Sequence, residues 1–165
     1  MLAAVLAGVV VACSLAQPEA ATASDRKRPS GEPSPAVAPA RPARSLGERA
    51  AGIAVRAVGI PYRYGGESPA SGFDCSGLVR WAYGRLGVDL PHSSYALAVT
   101  GRRVASERLL PGDVLLFDGL GHVGLYLGRG RMVHAPQSGR TVEVVALRST
   151  AYGGRLLGAR RIVPA

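Results

Sequence analysis

Helical periodicity marks the start of the predicted folded domain. Apolar positions recur every three or four residues after position 45, at Leu46, Ala50, Ile53, Ala54 and Ala57. This spacing predicts an amphipathic helix over residues 46–58. Ser45 stands at its N-cap position and Glu48 follows three residues later, which is the capping-box pattern.

Two more helices are predicted downstream. The second begins near Cys75 and is terminated by Gly87, with apolar positions at Leu78, Val79, Trp81, Ala82 and Leu86. The segment "SSYALAV" after Pro91 predicts a short third helix, capped by Ser93 or Ser94. The stretch between the first two helices, "IPYRYGGESPASG", is predicted to be irregular.

The hydrophobic pattern changes after Pro111. Five segments have the composition of strands, namely 113–117, 122–128, 131–135, 141–147 and 155–163. Short Gly-rich turns separate them, so we expect an antiparallel meander. Helices that precede strands along the chain predict an α+β domain with the helices on one face of the sheet.

The first 16 residues are apolar, and they predict an export signal. The run is short for a membrane span but typical of the apolar core of a secretory signal, although no basic residue precedes it. Its end, "VVAC", resembles the bacterial lipoprotein box, which implies diacylation of Cys13 and cleavage before it. Ser14 resembles the residue of lipoproteins that are sent to an outer membrane. The alternatives are an ordinary signal cut near residue 16 or 23, and an anchor that is not cleaved.

Three segments are therefore predicted. Residues 1–17 form a lipoprotein-type signal segment, residues 18–44 a Pro/Ala-rich tether, and residues 45–165 the folded domain. Two acyl chains on Cys13 would provide stable membrane attachment. With Cys13 in the leader, Cys75 is the odd thiol of an exported protein and has no disulfide partner.

Cys75 is either a buried, inert thiol or a nucleophile. Its position at a helix N-terminus predicts a lowered thiol pKa. A cysteine nucleophile needs a base and a residue that orients the base. If residues 128–130 form a three-residue hairpin turn, His134 lies opposite Gly124 and shares a face with His122. A two-residue turn would place the two histidines on opposite faces, and either histidine alone could be an ordinary core or edge residue.

Four ordered motifs resemble one known family. The segments "YRYGGESPASGFDCSGLV", "LLPGDVLLF", "GHVGLYLG" and "MVHAP" are similar, in order and spacing, to those of the NlpC-type (NlpC/P60) cell-wall endopeptidases across residues 46–165. The lipoprotein members with a Cys-His-His triad look closest. The resemblance implies a circularly permuted papain-like cysteine peptidase fold and thiol hydrolysis of amide bonds in peptidoglycan stem peptides.

The resemblance also implies residue roles. Cys75 matches the nucleophile, His122 the general base and His134 the orienting residue. Tyr64 matches the tyrosine near the oxyanion. Asp74 and Ser76 match positions that flank the nucleophile and help to shape the acceptor side of the cleft. The chain departs from the family at His92 and Leu97, where relatives often carry Arg and Gln; His92 is expected to be a surface loop residue.

Charge and the resemblance together suggest the partners. The chain has a net charge of +9, and residues 46–165 hold 15 Arg against 8 acidic residues. Nucleic acid is not expected, because the chain is exported and has no recognition helix. The carboxylates of peptidoglycan suit the basic charge better. No metal or other cofactor is implied, and targeting is expected from the lipid anchor, the basic face or an adaptor protein.

We expect the protein to be an exported thiol endopeptidase of the cell envelope, anchored in the outer membrane and facing the periplasm. The bond cut is either D-glutamyl–diamino acid within a stem or diamino acid–D-Ala across a crosslink. The alternatives are an amidase or acyltransferase on the same fold, and a catalytically silent wall-binding module.

Overall fold

The first helix, α1, spans Leu46–Val55 in the computed structural model, which describes residues 43–149 and 152–163. The capping box is confirmed, because Ser45 Oγ accepts from Glu48 N–H at 3.2 Å and Glu48 Oε2 accepts from Ser45 N–H at 2.8 Å. The predicted end at residue 58 was three residues too late. After Val55 the backbone tightens into i→i−3 hydrogen bonds and then turns at Gly59, whose φ is 90°.

A small hairpin and two more helices follow. Strands β1 (Glu67–Ser68) and β2 (Gly72–Phe73) pair antiparallel in the stretch that was predicted to be irregular. Helix α2 spans Cys75–Gly84, and α3 spans Ser94–Leu97 with Ser93 as its N-cap. Helix α2 thus ends three residues before Gly87, which instead adopts a φ of 81° in the turn that follows.

Six strands form the main antiparallel sheet, in the order β3-β8-β4-β5-β6-β7. Their bounds are β3 Arg102–Val104, β4 Val114–Phe117, β5 Val123–Gly128, β6 Arg131–His134, β7 Glu143–Ala146 and β8 Leu156–Arg161. Only β4 to β7 form the predicted meander. Strand β8 returns to pair with β4, and β3, which sequence reasoning missed, covers the outer edge of β8.

The burial of β4 explains this topology. All four of its side chains are buried, so the strand needs a neighbour on both edges and cover on both faces. Val114 and Leu116 pack in the cluster beneath α1 and α2, whereas Leu115 and Phe117 pack in a smaller cluster on the opposite face. Strand β3 was missed because "RRV" is short and charged, a composition typical of edge strands. The α+β prediction with its helices on one face is confirmed.

The β5–β6 hairpin decides where the histidines lie. Its loop has two residues, Arg129 and Gly130, whose φ angles of 53° and 67° are those of a type I′ turn. An irregularity between Tyr126 and Gly128 adds one residue to β5 and shifts the pairing by one. The loop is thus the two-residue alternative, which by itself would separate the histidines, but the bulge restores the register of a three-residue turn.

In that register Leu125 pairs with Val133. The next pair in the same register is therefore Gly124 opposite His134. A Cβ atom on Gly124 would lie 3.3 Å from the Cβ of His134, so the two positions touch. His122 and His134 consequently share one face of the hairpin, at the end nearest α2.

The described helices include none that is long and apolar enough to cross a membrane. The predicted signal segment with Cys13 lies outside the described residues, as does all of the tether except residues 43 and 44. The lipidation of Cys13 and the boundaries of both segments stay predictions.

Candidate active site

Cys75 is the first residue of α2 and lies against the beginning of β5. Its thiol is free and half-buried. The backbone N–H groups of Val123, Ser76 and Cys75 itself lie near the sulfur and lower the pKa of the thiol. Since Val123 directly follows His122, the contact brings the predicted base next to the predicted nucleophile.

Burial and hydrogen bonding act in opposite directions on the thiol. Burial is the larger effect and raises the pKa of Cys75, the Val123 N–H lowers it, and the negative charge of Asp74 raises it again. The net pKa is above the ordinary value, so the expected lowering by the helix N-terminus was wrong. Loss of water around the sulfur outweighs the helix dipole, and the resting nucleophile is a neutral thiol.

The rings of His122 and His134 form the second contact of the site. The Nε2 atom of His122 lies 2.8 Å from the Nδ1 atom of His134, with the rings at 82° to each other. His134 is completely buried, and His122 is half-buried. Because Nε2 of His122 is engaged with His134, Nδ1 is the nitrogen with which His122 can exchange a proton.

Both histidines are neutral at pH 7. Burial lowers the pKa of His122 to about 4, with smaller contributions from the positive charges of His134 and Arg155. Burial also lowers the pKa of His134 to about 4, although the carboxylate of Glu143 opposes this effect. A neutral imidazole at position 122 can accept the proton of a neutral thiol.

Tyr152 holds the two imidazoles in place. Its ring stacks on His122, with centroids 5.0 Å apart and planes at 25°, and meets the ring of His134 edge-on at 4.9 Å. Phe117 packs against Tyr152 at 5.2 Å. Sequence reasoning missed Tyr152, because a single aromatic residue before a Gly-Gly pair matches no motif.

Glu143 lies on the far side of His134. The two residues are directly opposite in the β6–β7 pair, and Glu143 Oε1 is 3.4 Å from His134 Nε2. Both carboxylate oxygens of Glu143 accept hydrogen bonds from Arg140 Nη2, at 2.8 and 2.7 Å. Sequence reasoning also missed Glu143, although a charged residue inside the apolar segment "TVEVVAL" was a signal.

Asp74 caps α2 and ties it to the preceding loop. Its Oδ1 accepts from Gly77 N–H at 2.7 Å and from Ser76 Oγ–H at 3.1 Å, and its Oδ2 accepts from Gly65 N–H at 2.8 Å. His92 Nε2 lies 2.9 and 3.0 Å from the same two oxygens. The buried carboxylate is therefore engaged on both oxygens, and it fixes the loop beside the nucleophile.

His92 lies in the loop before α3, as expected, but its side chain is largely buried and not free at the surface. Besides its contact with Asp74, its Nδ1 lies 3.3 Å from Glu67 Oε2, and Glu67 pairs with Arg80 at 2.7 Å. Asp74 and Glu67 precede His92 by 18 and 25 positions in the chain, and their contacts hold His92 in the wall of the cleft. Contacts at this sequence separation leave no local signal in the sequence.

A cleft of about 380 Å³ opens beside the sulfur, a size that suits a small peptide. Its walls come from the loop before α2, the start of α2, the residues that lead into and begin α3, and the segment before β5: Tyr62, Tyr64, Gly65, Asp74, Cys75, Ser76, His92, Ser93, Ser94, Tyr95 and Gly121. Tyr64 borders this cleft but is 92% exposed. Tyr62 is half-buried, and its pKa is raised by burial and then by the nearby charges of Cys75 and Asp74. Tyr62 and Tyr64 thus both line the cleft beside the nucleophile, and Tyr62 is the less exposed of the two.

Within residues 43–149 and 152–163, no three His, Cys, Asp or Glu side chains are grouped so that they could hold a metal ion. The groups beside the Cys75 thiol are imidazoles, which can take up and return a proton while both partners start neutral.

Residues 59–161 match the model of the NlpC/P60 family. The chain is similar to a probable endopeptidase of Mycobacterium tuberculosis, with 48% identity over 118 residues, or 70% of this chain and 30% of that protein. It is also similar to the gamma-D-glutamyl-L-lysine dipeptidyl-peptidase of Bacillus cereus, with 37% identity over 65% of this chain and 34% of that protein. The chain thus spans about a third of the length of these relatives.

Among solved structures, the peptidoglycan hydrolase RipB of Mycobacterium tuberculosis superposes with a TM-score of 0.63 and 31% identity, over 73% of this chain and 66% of that one. This similarity confirms the papain-like α+β fold that the sequence motifs implied.

Proposed function

The chain belongs to the NlpC/P60 family, and from this premise we propose that it is a thiol endopeptidase that hydrolyses amide bonds in peptidoglycan stem peptides. One observation carries the proposal. Nε2 of His122 and Nδ1 of His134 lie 2.8 Å apart on a hairpin whose Val123 N–H lies near the Cys75 sulfur. A thiol, a neutral base and a group that orients the base are the components of nucleophilic amide hydrolysis.

The reaction begins from a neutral pair. As Cys75 Sγ attacks the amide carbonyl carbon, its proton passes to Nδ1 of His122, and the carbonyl oxygen becomes an oxyanion. The proposed oxyanion donors are the backbone N–H of Cys75 and the hydroxyl of Tyr62. We assign this role to Tyr62 in preference to Tyr64, because Tyr62 is the half-buried one beside the sulfur.

The second half of the reaction releases the amine and the acid. Protonated His122 donates its proton to the leaving amine as the C–N bond breaks, which leaves an acyl thioester on Cys75. His122 then removes a proton from water, and the resulting attack on the thioester frees the acid and restores the thiol. His134 accepts a hydrogen bond from Nε2–H of His122 throughout, and so holds the tautomer in which Nδ1 is the base.

The substrate is assigned by the printed activities of relatives. One relative is named for the gamma-D-glutamyl-L-lysine bond, and a structural neighbour is named as a peptidoglycan hydrolase. We therefore favour the D-glutamyl–diamino acid bond over the diamino acid–D-Ala bond. Asp74, Ser76 and His92 line the cleft beside Cys75 and form its polar, acceptor-side wall.

The location follows from the same proposal. An enzyme that acts on peptidoglycan works in the cell envelope, outside the cytoplasm. The lipoprotein-type segment supports attachment through acylated Cys13, in an outer membrane and facing the periplasm. Metabolic labelling with a fatty acid should mark the protein, and Cys13→Ser should abolish the label. An unlabelled wild-type protein with residues 1–17 removed would show an ordinary export signal instead.

One experiment separates the endopeptidase from its alternatives. Purified wild type, Cys75→Ala and Cys13→Ser are incubated with sacculi, and the products are identified by mass spectrometry. New amino and carboxyl termini within stems, from wild type and Cys13→Ser but not Cys75→Ala, are the expected result. Loss of whole stems from the glycan would identify an amidase, and joined stems a transferase. Absence of any product would leave a wall-binding module.

A further inference from the structure

His134 contains a buried polar atom that the catalytic scheme above leaves without a function. The Nδ1 atom of this completely buried ring binds His122, but Nε2 is buried and makes no hydrogen bond of good geometry. Unpaired buried polar groups are costly, so such an atom calls for a partner. The facing acceptor is Glu143 Oε1, at 3.4 Å.

The bond between the two rings can exist in two forms. In one, His122 Nε2–H donates to Nδ1 of His134, and Nδ1 of His122 is a free base. In the other, His134 Nδ1–H donates to Nε2 of His122, so His122 carries its proton on Nδ1 and cannot take one from Cys75. The contact of 2.8 Å fits both forms equally well.

We propose that Glu143 is a positioning residue that selects the reactive form. Its carboxylate can only accept, so it favours a proton on Nε2 of His134 and leaves Nδ1 of His134 to accept from His122. The chain of contacts thus runs from Glu143 through His134 and His122 to Cys75. The effect on catalysis rests on the proposed function, whereas the choice of tautomer does not.

Arg140 competes for the same carboxylate. It binds both oxygens of Glu143 at 2.8 and 2.7 Å, and this pair lies at the surface, where 55% of the Arg140 side chain and 28% of the Glu143 side chain are exposed. Arg140 thereby draws Glu143 away from a full hydrogen bond to His134. Loss of Arg140 would free the carboxylate, so changes at 140 and 143 should act in opposite directions on His134.

The charged and titratable groups around His134 come from every element packed on it. His122 faces it from the position just before β5, Tyr152 covers it edge-on, and Glu143 and Arg140 face it from β7 and the turn before β7. Glu143 is the acidic member of this set, which makes it the acceptor suited to a proton on Nε2.

The tautomer can be read directly by nitrogen NMR on the full chain labelled with ¹⁵N-histidine at pH 7. We expect a protonated, pyrrole-type Nε2 and a pyridine-type Nδ1 for His134 in the wild type. In Glu143→Leu, which cannot accept a hydrogen bond, the proton should move in part to Nδ1. Glu143→Gln keeps an acceptor oxygen and should change less. A wild-type His134 that carries its proton on Nδ1 would overturn the proposal.

Kinetics on a soluble stem peptide complete the test. Glu143→Leu should lower kcat by roughly tenfold to a hundredfold with little change in KM, since the loss concerns the general base and not the cleft. Arg140→Gln should leave kcat equal to or above that of wild type. Glu107→Leu, the same substitution at an exposed site bonded to Ser106, is the matched control and should have no effect.

The outcomes distinguish this proposal from the proposed function. An active wild type whose Glu143→Leu variant keeps both tautomer and kcat contradicts the role of Glu143 alone. A wild type that cleaves no stem peptide contradicts the proposed function, and the nitrogen spectra then still decide the tautomer. Near-UV circular dichroism shows whether a variant has lost its fold, and Glu143→Gln supplies the smaller, graded change if Glu143→Leu has.

Discussion

Nε2 of His122 and Nδ1 of His134 lie 2.8 Å apart, although twelve residues separate them in the chain. A type I′ turn and a one-residue bulge together set this distance, because either one alone would place the rings on opposite faces of the sheet.

The chemistry of this contact is tested at position 134. An Asn oxygen can occupy the place of the Nδ1 atom and accept from His122, whereas Ala leaves His122 without an orienting group. We expect His134→Ala to lower kcat by about a hundredfold and His134→Asn by clearly less. Steady-state rates on a stem peptide measure both. Equal losses in the two variants would mean that His134 serves packing alone.

Activity should extend to unusually acidic pH. The pKa of His122 is lowered to about 4, so the base stays neutral and competent well below the usual titration range of histidine. The rate should fall on the acid side only as pH approaches about 4. A profile of kcat/KM between pH 3.5 and 8 measures the midpoint, and a midpoint near 6.5 would show that the imidazole is not desolvated as the structure has it.

Stability should fall over the same acid range. The pKa values of His122 and His134 are lowered in the folded state, so the unfolded chain binds more protons between the ordinary histidine pKa, near 6.5, and about 4. The free energy of unfolding should therefore drop as pH falls through this window, by on the order of a few kcal/mol for the pair. Urea unfolding at pH 7 and 4.5 measures it. The double variant His122→Gln/His134→Gln should lose most of this dependence.

Two glycines of α2 should respond in opposite ways to alanine. A Cβ at Gly77 would collide with the carbonyl oxygen of Gly66, whereas a Cβ at Gly84 meets nothing within 4 Å. We expect Gly77→Ala to destabilise the domain by roughly 2 kcal/mol or more. Gly84→Ala should stabilise it by about 0.5 to 1 kcal/mol. The midpoints of urea unfolding measure both changes in stability. Similar midpoints for Gly77→Ala and Gly84→Ala would contradict the close approach of Gly66 to Gly77.

His92 should affect substrate binding more than chemistry. It contacts both oxygens of Asp74 in the wall of the cleft, away from the contact between His122 and His134. His92→Ala should raise KM severalfold with a smaller change in kcat, because Asp74 loses a partner but keeps its backbone donors. His92→Arg can still bind the carboxylate and is the matched control. A drop in kcat alone would place His92 in the chemical step.

Local physics explains why much of the fold could be predicted. The capping box at Ser45 and Glu48 and the β5–β6 strand pair both depend on residues close in the chain. The triad could be proposed for the same reason, since one helix start carries the thiol and one hairpin carries both histidines. The placement of β8 beside β4 could not, because that contact closes a loop of about 40 residues.

The sequence by itself predicted the helices, the central strands and the candidate triad of Cys75, His122 and His134, because periodicity, caps and turn residues act over a few positions. Only the tertiary structure decided the protonation states, since burial and not the helix N-terminus dominates the pKa of Cys75. It also decided that Tyr62 is less exposed than Tyr64 and that His92 and Glu143 contact the site. These properties depend on desolvation and on contacts between distant segments, and both exist only once the chain has packed.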